Sequence, residues 1–303
     1  MTQNLVDMIV GIYRIGYNFW TSIVGVAMNL FTVDPLNANG TISGTVKNLY
    51  DVLEAGSVTI ALIFFLIALL KEVISAPPDQ QIRKFFGDFI RFGIMIAILA
   101  NLWTIMGTIM QVANNITSSL AFSGSYEISV DDTDLPDIIA DMLNEDNFEE
   151  AEVDGFLEKI AETAKKWGSI FIVAGVSIIA AVATLIIMVA CAISIVNSAI
   201  QRIIKPLVIL PFSCITVALA SGAGDASRVT SAYLKTFFGF CISGAFMVIA
   251  VNLGSSIATS LINVTSGSSA IETAINASLQ AAIMPLVISG LIKSIDSIIA
   301  RFF

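Results

Sequence analysis

Long apolar runs, separated by short polar turns, dominate this chain, and their lengths predict its elements. The hydrocarbon core of a bilayer, about 30 Å thick, takes about 20 helical residues to cross. Residues 55–70 (AGSVTIALIFFLIALL) are short of that, but Glu54 and Lys71 flank them where the two interfaces would lie. Residues 92–112 and 237–262 are uncharged and long enough. Residues 170–196 carry no charge over 27 positions, so a helix there must tilt or project beyond the bilayer. Residues 274–292 span by length, with Pro285 as a predicted kink.

Three segments depart from this pattern. Residues 5–31 mix apolar positions with Asp7, Arg14 and Asn18, and carry Tyr13, Tyr17 and Trp20, which suit a membrane interface. An arginine at the centre of a crossing helix costs about 2.5–3.5 kcal/mol on insertion scales. That cost favours an interfacial amphipathic helix over a sixth crossing. Asp34-Pro35 and Asn39-Gly40 then mark a loop. In residues 114–167, Asp134 and Pro136 predict a helix start, and Ile138, Ile139, Met142 and Leu143 share one helical face. Phe148, Val153, Phe156, Leu157 and Ile160 predict a second amphipathic helix leading into the long third run. The last segment, residues 205–228 (KPLVILPFSCITVALASGAGDASR), is marginal for crossing and has two prolines near its start. The chain thus divides into residues 1–44, an N-terminal interfacial helix and loop; 45–113, a first transmembrane pair; 114–167, an extracytoplasmic helical loop; and 168–303, a C-terminal membrane domain.

Composition sharpens the class. The chain is 56% hydrophobic and 13% charged, whereas soluble domains run at about 45–50% and about 25%. With a mean hydropathy of +0.87, the sequence reads as an all-α integral membrane protein. Its net charge of −9 is local: residues 127–162 hold fourteen acidic side chains and one basic, Lys159. That segment reads as a small acidic helical cap, equally a docking surface or a solvated spacer. The N-terminus lacks a basic region ahead of its apolar part, unlike a cleavable signal peptide.

Charge also sets an orientation. Lys71, Arg83, Lys84 and Arg91 cluster between the first two runs, which makes that turn cytoplasmic and the acidic loop exoplasmic. The third run returns to that side at Arg202 and Lys205, and if residues 205–228 dip in and return, Arg228, Lys235, Lys293 and Arg301 join them. That reading puts ten of the fifteen basic residues inside. Pro206, Pro211, Gly222 and Gly224 supply the irregular backbone of such a re-entrant hairpin, which is tolerated only when buried in protein or lining a water cavity. The prediction is five crossings, a re-entrant element, and an inside C-terminus.

Candidate chemistry is sparse. The absence of histidine removes Ser-His-Asp, Cys-His and histidine–metal sites. Cys191, Cys214 and Cys241 sit in apolar runs and read as buried, inert thiols. Gly222-Ala223-Gly224-Asp225 has the G-x-G-D form of intramembrane aspartyl proteases, and Tyr50-Asp51 matches their partner motif. Such an enzyme needs its two carboxylates within reach, and the predicted topology puts Asp51 and Asp225 near opposite faces. The expectation is therefore a non-enzyme with no catalytic residues, cofactor or metal. Ala250, Gly254 and Ala258 repeat every four residues and predict a close helix–helix approach.

This layout resembles the polytopic inner-membrane subunit of type IV secretion and conjugation systems, the TrbL-like family and its VirB counterparts. The resemblance rests on the 114–167 loop, the 170–196 helix and KPLVILPFSCITVALASGAG, and covers most of the chain. It implies a fivefold homo-oligomeric channel or scaffold in the bacterial cytoplasmic membrane that supports DNA–protein transfer or pilus and stalk assembly. Its implied partners are copies of itself, stalk or pilus proteins, cytoplasmic ATPases, membrane lipids and, in passing, the transferred DNA–protein substrate. Arg83, Lys84, Arg202, Lys205 and Arg228 would be the cytoplasmic contacts to ATPases or lipid phosphates. The alternative is a small-solute transporter or ion channel with the re-entrant segment as its filter.

Overall fold

The computed structural model describes residues 2–36, 40–74, 77–121, 135–143, 156–222, 225–261 and 270–302, and every regular element among them is helical. In order these are α1 (Thr2–Thr32), α2 (Gly40–Ile74), α3 (Pro78–Ala100), α4 (Leu102–Ala121), α5 (Leu135–Met142) and α6 (Phe156–Ile209). A 3₁₀ turn (Leu210–Phe212), α7 (Ser213–Leu219), α8 (Asp225–Leu261) and α9 (Ala270–Phe302) follow. Four stretches are long and apolar enough to cross a membrane: Ile42–Lys71, Lys165–Leu219, Arg228–Ile257 and Ile271–Ile299. A fifth results if α3 and α4 count as one bent span.

That bend departs from the sequence reading, which has one helix over 92–112. The axis turns by 63° at Asn101, without a proline or glycine at the break. The Asn101 side-chain amide donates to the Ala97 carbonyl at 3.0 Å. Its own backbone N–H falls to Ile98 O instead, at 3.1 Å. Competition by a short polar side chain for the i−4 carbonyl loosens a helix at that point.

Only one of the two prolines of 205–228 interrupts the helix. Pro206 lies inside α6, which runs on for 54 residues to Ile209; Pro211 falls in the 3₁₀ turn. A proline removes one i→i−4 bond, here the one to the Arg202 carbonyl, and membrane helices accommodate this when neighbours re-satisfy the backbone.

The chain forms two interleaved units. The first takes Met1–Ala27, Gly124–Asn197 and Ile249–Lys293; the second takes Met28–Ser123, Ser198–Val248 and Ser294–Phe303. The helices α1, α6, α8 and α9 each begin in one unit and end in the other.

In the first unit, Val6, Ile9, Val10, Tyr13 and Tyr17 of α1 share a core with α5, α6 and α9. The amphipathic stripe of α1 is therefore spent on protein. Tyr13 and Trp20 are buried, while Arg14 points outward. Small residues let the helices close up: a Cβ on Gly16 would meet Met188 Sδ at 2.8 Å, and α9 contributes Ala274, Ala277 and Ala281. Tyr13 Oη and Ser278 Oγ share a hydrogen bond of 2.6 Å, and Thr184 Oγ1 donates to Ser278 O at 3.2 Å. The α5 face matches the sequence reading, with Ile139, Met142 and Leu143 buried and Ile138 packed beside them. Phe148 and Val153 of the second predicted amphipathic helix lie outside the described residues.

In the second unit, α2 and α3 pair as a hairpin with Phe65 stacked on Phe92, ring centroids 4.4 Å apart. The segment from Leu207 to Ala218 packs on them through Leu210, Cys214 and Val217. Tyr50 tilts against Trp103 at 5.1 Å, and the Lys47 ammonium lies over both rings.

Candidate functional site

The second unit is organised by one buried cation. Arg202, on the apolar last third of α6, is only 3% exposed. Its Nη1 donates to Val33 O at 3.0 Å and Leu30 O at 3.3 Å, and its Nη2 donates to Asn114 Oδ1 at 3.3 Å. Leu30 and Val33 are at the C-terminal end of α1, where the last carbonyls lack intrahelical donors and the helix dipole is negative. A cation there satisfies both needs. Arginine does not shed its proton in proteins, so the charge stays and the surroundings must meet it. Asp34, in the loop after α1, adds a favourable Coulombic interaction; its carboxylate is held by an Asx turn to Leu36 N at 3.0 Å.

α8 makes room. A Cβ on Gly244 would sit 2.7 Å from Arg202 Cζ and 2.8 Å from Nη2, so any larger residue there would have to displace the guanidinium. Pro35, Met110, Pro206, Phe240 and Cys241 line the remaining narrow space. Arg202 thus fastens α1, α4, α6 and α8 together.

From Arg202 the chain continues as one arm of an antiparallel hairpin whose other arm is the start of α8. Lys205 Nζ lies 5.7 Å over the Phe240 ring, Tyr233 Oη donates to Ile209 O at 2.9 Å, and Thr230 Oγ1 donates to Thr216 O at 2.6 Å. The Tyr233 bond reaches a carbonyl next to the 3₁₀ turn, where the helical ladder is interrupted. Toward the tip, Ser221 Oγ donates to Ala61 O at 2.8 Å. Cys214, about two helical turns earlier, interacts with Ser57 and Glu54. As the chain advances from 214 to 221, its α2 neighbours advance from 54–57 to 61, so α7 runs parallel to α2.

This geometry corrects one expectation and locates the rest. Arg202 cannot face an ATPase or a lipid phosphate, because its guanidinium is enclosed by the protein and used up on carbonyls. A buried cation also carries no weight in a count of charges by side of the bilayer. The hairpin base lies toward the N-terminal part of α2, not beside the Lys71–Arg91 turn with which the charge count grouped it. Arg83, Lys84 and Arg228 are exposed and Lys205 is half-buried. Pro206, Pro211 and Gly222 are buried along the hairpin, and Gly224 lies outside the described residues. Gly254 is where α8 meets α9: a Cβ there would lie 2.6 Å from Ile288 Cγ1. Ala250 is buried nearby in sequence, and the Ala258 side chain is outside the described set.

Of the two aspartates in the protease-like motifs, Asp51 is half-exposed and ion-paired with Lys47. The hairpin tip meets α2 at Ala61, ten residues away, which is about 15 Å of helix. The Asp225 side chain lies outside the described residues. The three cysteines are free and buried. No group of side chains able to hold a metal ion occurs among the described residues.

Sequence reasoning missed the pairing of Arg202 with Gly244. The available signals were an arginine four residues before Pro206 on an apolar helix and a glycine inside the uncharged 237–262 run. Neither names the other. No protein-family model, curated protein or solved structure matches the chain.

Proposed function

We propose that the chain is a non-enzymatic, self-assembling subunit of a bacterial membrane channel or scaffold, of the type used in conjugative type IV secretion. In this reading residues 205–228 form a re-entrant hairpin beside an aqueous path. The observation that carries it is the level of the hairpin tip. Ser221 bonds Ala61, near the middle of the apolar 55–70 run. Arg228, exposed on α8, lies between that tip and the Thr216–Thr230 rung. An exposed charge beside irregular backbone at bilayer depth is tolerated where it lines water. A subunit that presents such a tip toward copies of itself provides a hydrophilic passage without any catalytic group.

The remaining partners follow the same reading. The exposed Arg83 and Lys84 would meet cytoplasmic ATPases or lipid phosphates, and the acidic 114–167 segment would dock a stalk or pilus protein. The test has two parts. Deleting the gene from a donor cell should abolish conjugative DNA transfer, and a plasmid copy should restore it. In a variant with its cysteines replaced by alanine, Arg228→Cys should react with a membrane-impermeant maleimide in native membranes. Unchanged transfer after deletion would overturn the secretion assignment. If transfer is unchanged but the labelled site passes small ions, the transporter or ion-channel reading takes its place.

A further inference from the structure

The closed end of the α2–α3 hairpin carries Lys71, Arg83, Lys84 and Arg91, all exposed. Arg83, Lys84 and Arg91 form no ion pair with another described residue. Glu72, Asp79 and Asp88 offset part of the charge in sequence, and Asp88 turns Oδ2 into the protein. At about 100° per residue, Lys84 and Arg91 share one flank of α3. Arg83 heads the neighbouring stripe, which continues through Ile90 and Ile94, 60% and 56% exposed. A positive head is thus followed by an apolar track.

Arg91 fixes the depth of this patch. Phe65 stacks on Phe92, so Arg91 comes level with Leu66. That is about 7.5 Å of helix short of Lys71, inside the end of the apolar 55–70 run. Helical side chains lean toward the N-terminus of their own helix. For α3 that direction is the turn before Pro78, so the Arg91 stem crosses apolar surface and leads its guanidinium back toward the interface. A soluble partner docked at the turn reaches Arg83 and Lys84 but not a cation at that depth. A lipid phosphate does reach it, because the bilayer holds phosphate at the interface while an acyl chain lies on the apolar track.

We infer that Arg83, Lys84 and Arg91 bind the headgroup of an anionic phospholipid, with its acyl chain along Ile90 and Ile94. A headgroup of net negative charge suits the surplus of positive charge better than a zwitterionic one, whose own cation would face the cluster. An exposed charge inside an apolar run is tolerated when it reaches such a partner. The inference rests on the α2–α3 hairpin crossing the bilayer, as in the reading above. Of the two partners named there for Arg83 and Lys84, it selects the lipid and adds Arg91 as the residue that recognises it.

Lipid retention by the full chain tests it. Purified in detergent and mixed with phosphatidylglycerol and phosphatidylcholine in equal amounts, the chain should keep the first over the second by about tenfold in native mass spectrometry. Arg91→Gln should lower phosphatidylglycerol retention about fivefold and leave phosphatidylcholine unchanged. Arg91→Lys, which keeps the charge, should hold most of it, and Lys235→Gln, exposed on α8, all of it. Should Arg91→Gln lose helix content by circular dichroism, Arg83→Gln and Lys84→Gln carry the same expectation. Equal retention of the two lipids overturns the site. So does a folded Arg91→Gln variant as retentive as the parent, whatever Arg83→Gln and Lys84→Gln do, because cations at the turn alone suit a soluble partner. A chain that keeps phosphatidylglycerol through Arg91 but is dispensable for DNA transfer loses the secretion assignment and keeps the lipid site.

Discussion

The two units hold their helices together by opposite means. The first relies on smallness: Gly16, Gly254 and the alanines of α9 bring backbones close, and its buried polar contacts are neutral hydroxyls. The second relies on one permanent charge, carried by α6, whose surroundings come from α1, α4 and α8. Neutral contacts of the first kind are separable, and losing one costs about 0.6 kcal/mol on average in membrane proteins. A buried charge is not separable. Removing part of its surroundings leaves an uncompensated ion, at about 3–5 kcal/mol. The second unit should therefore fail as a whole where the first yields by degrees.

The largest test of that contrast is Gly244→Val. A side chain there displaces the guanidinium, and the loss should approach about 3–5 kcal/mol, seen as a collapse of thermal stability in detergent with proteolysis appearing near residues 33–40. A variant as stable as the parent would mean that the charge is not an organising contact. Next, Arg202→Lys keeps the charge and loses the fork that reaches two carbonyls and an amide. It should cost about 1–3 kcal/mol, and a loss no greater than that of a neutral hydroxyl in the first unit would erase the distinction. In the first unit, Gly254→Val presses on Ile288, including its Cα at 3.5 Å. Overpacking there should cost about 1–3 kcal/mol, read as a lower melting temperature without loss of helix content. The smallest effect belongs to Tyr13→Phe, which removes the bond to Ser278 and should cost about 0.5–1.5 kcal/mol in the same melt.

What could be read from the sequence follows the same division. Local periodicity gave away α5, because Ile138, Ile139, Met142 and Leu143 bury one face over barely two turns. The long runs announced helices long and apolar enough to cross a membrane, because length against bilayer thickness is a property of one segment. The α1 stripe was visible too, but its partner was not: an amphipathic face looks the same whether lipid or protein covers it. The bend at Asn101 was hidden because asparagine is ordinary in membrane helices and turns one only when its amide takes the i−4 carbonyl. Arg202 was misread for a related reason. Its charge suggested a cytoplasmic helix end, and Asn114, Gly244 and the end of α1, all distant in sequence, make a buried site for it.

That distance has a consequence in time. The carbonyls of Leu30 and Val33 emerge from the ribosome long before Arg202 is made; at about 5–20 residues per second, the interval is roughly 8–34 s. Until then the end of α1 has no guanidinium to close it. The N-terminal helix must wait in the insertion machinery, or beside it, for the chain that completes it. A chain cut short before residue 202 is left with its first helix unfastened.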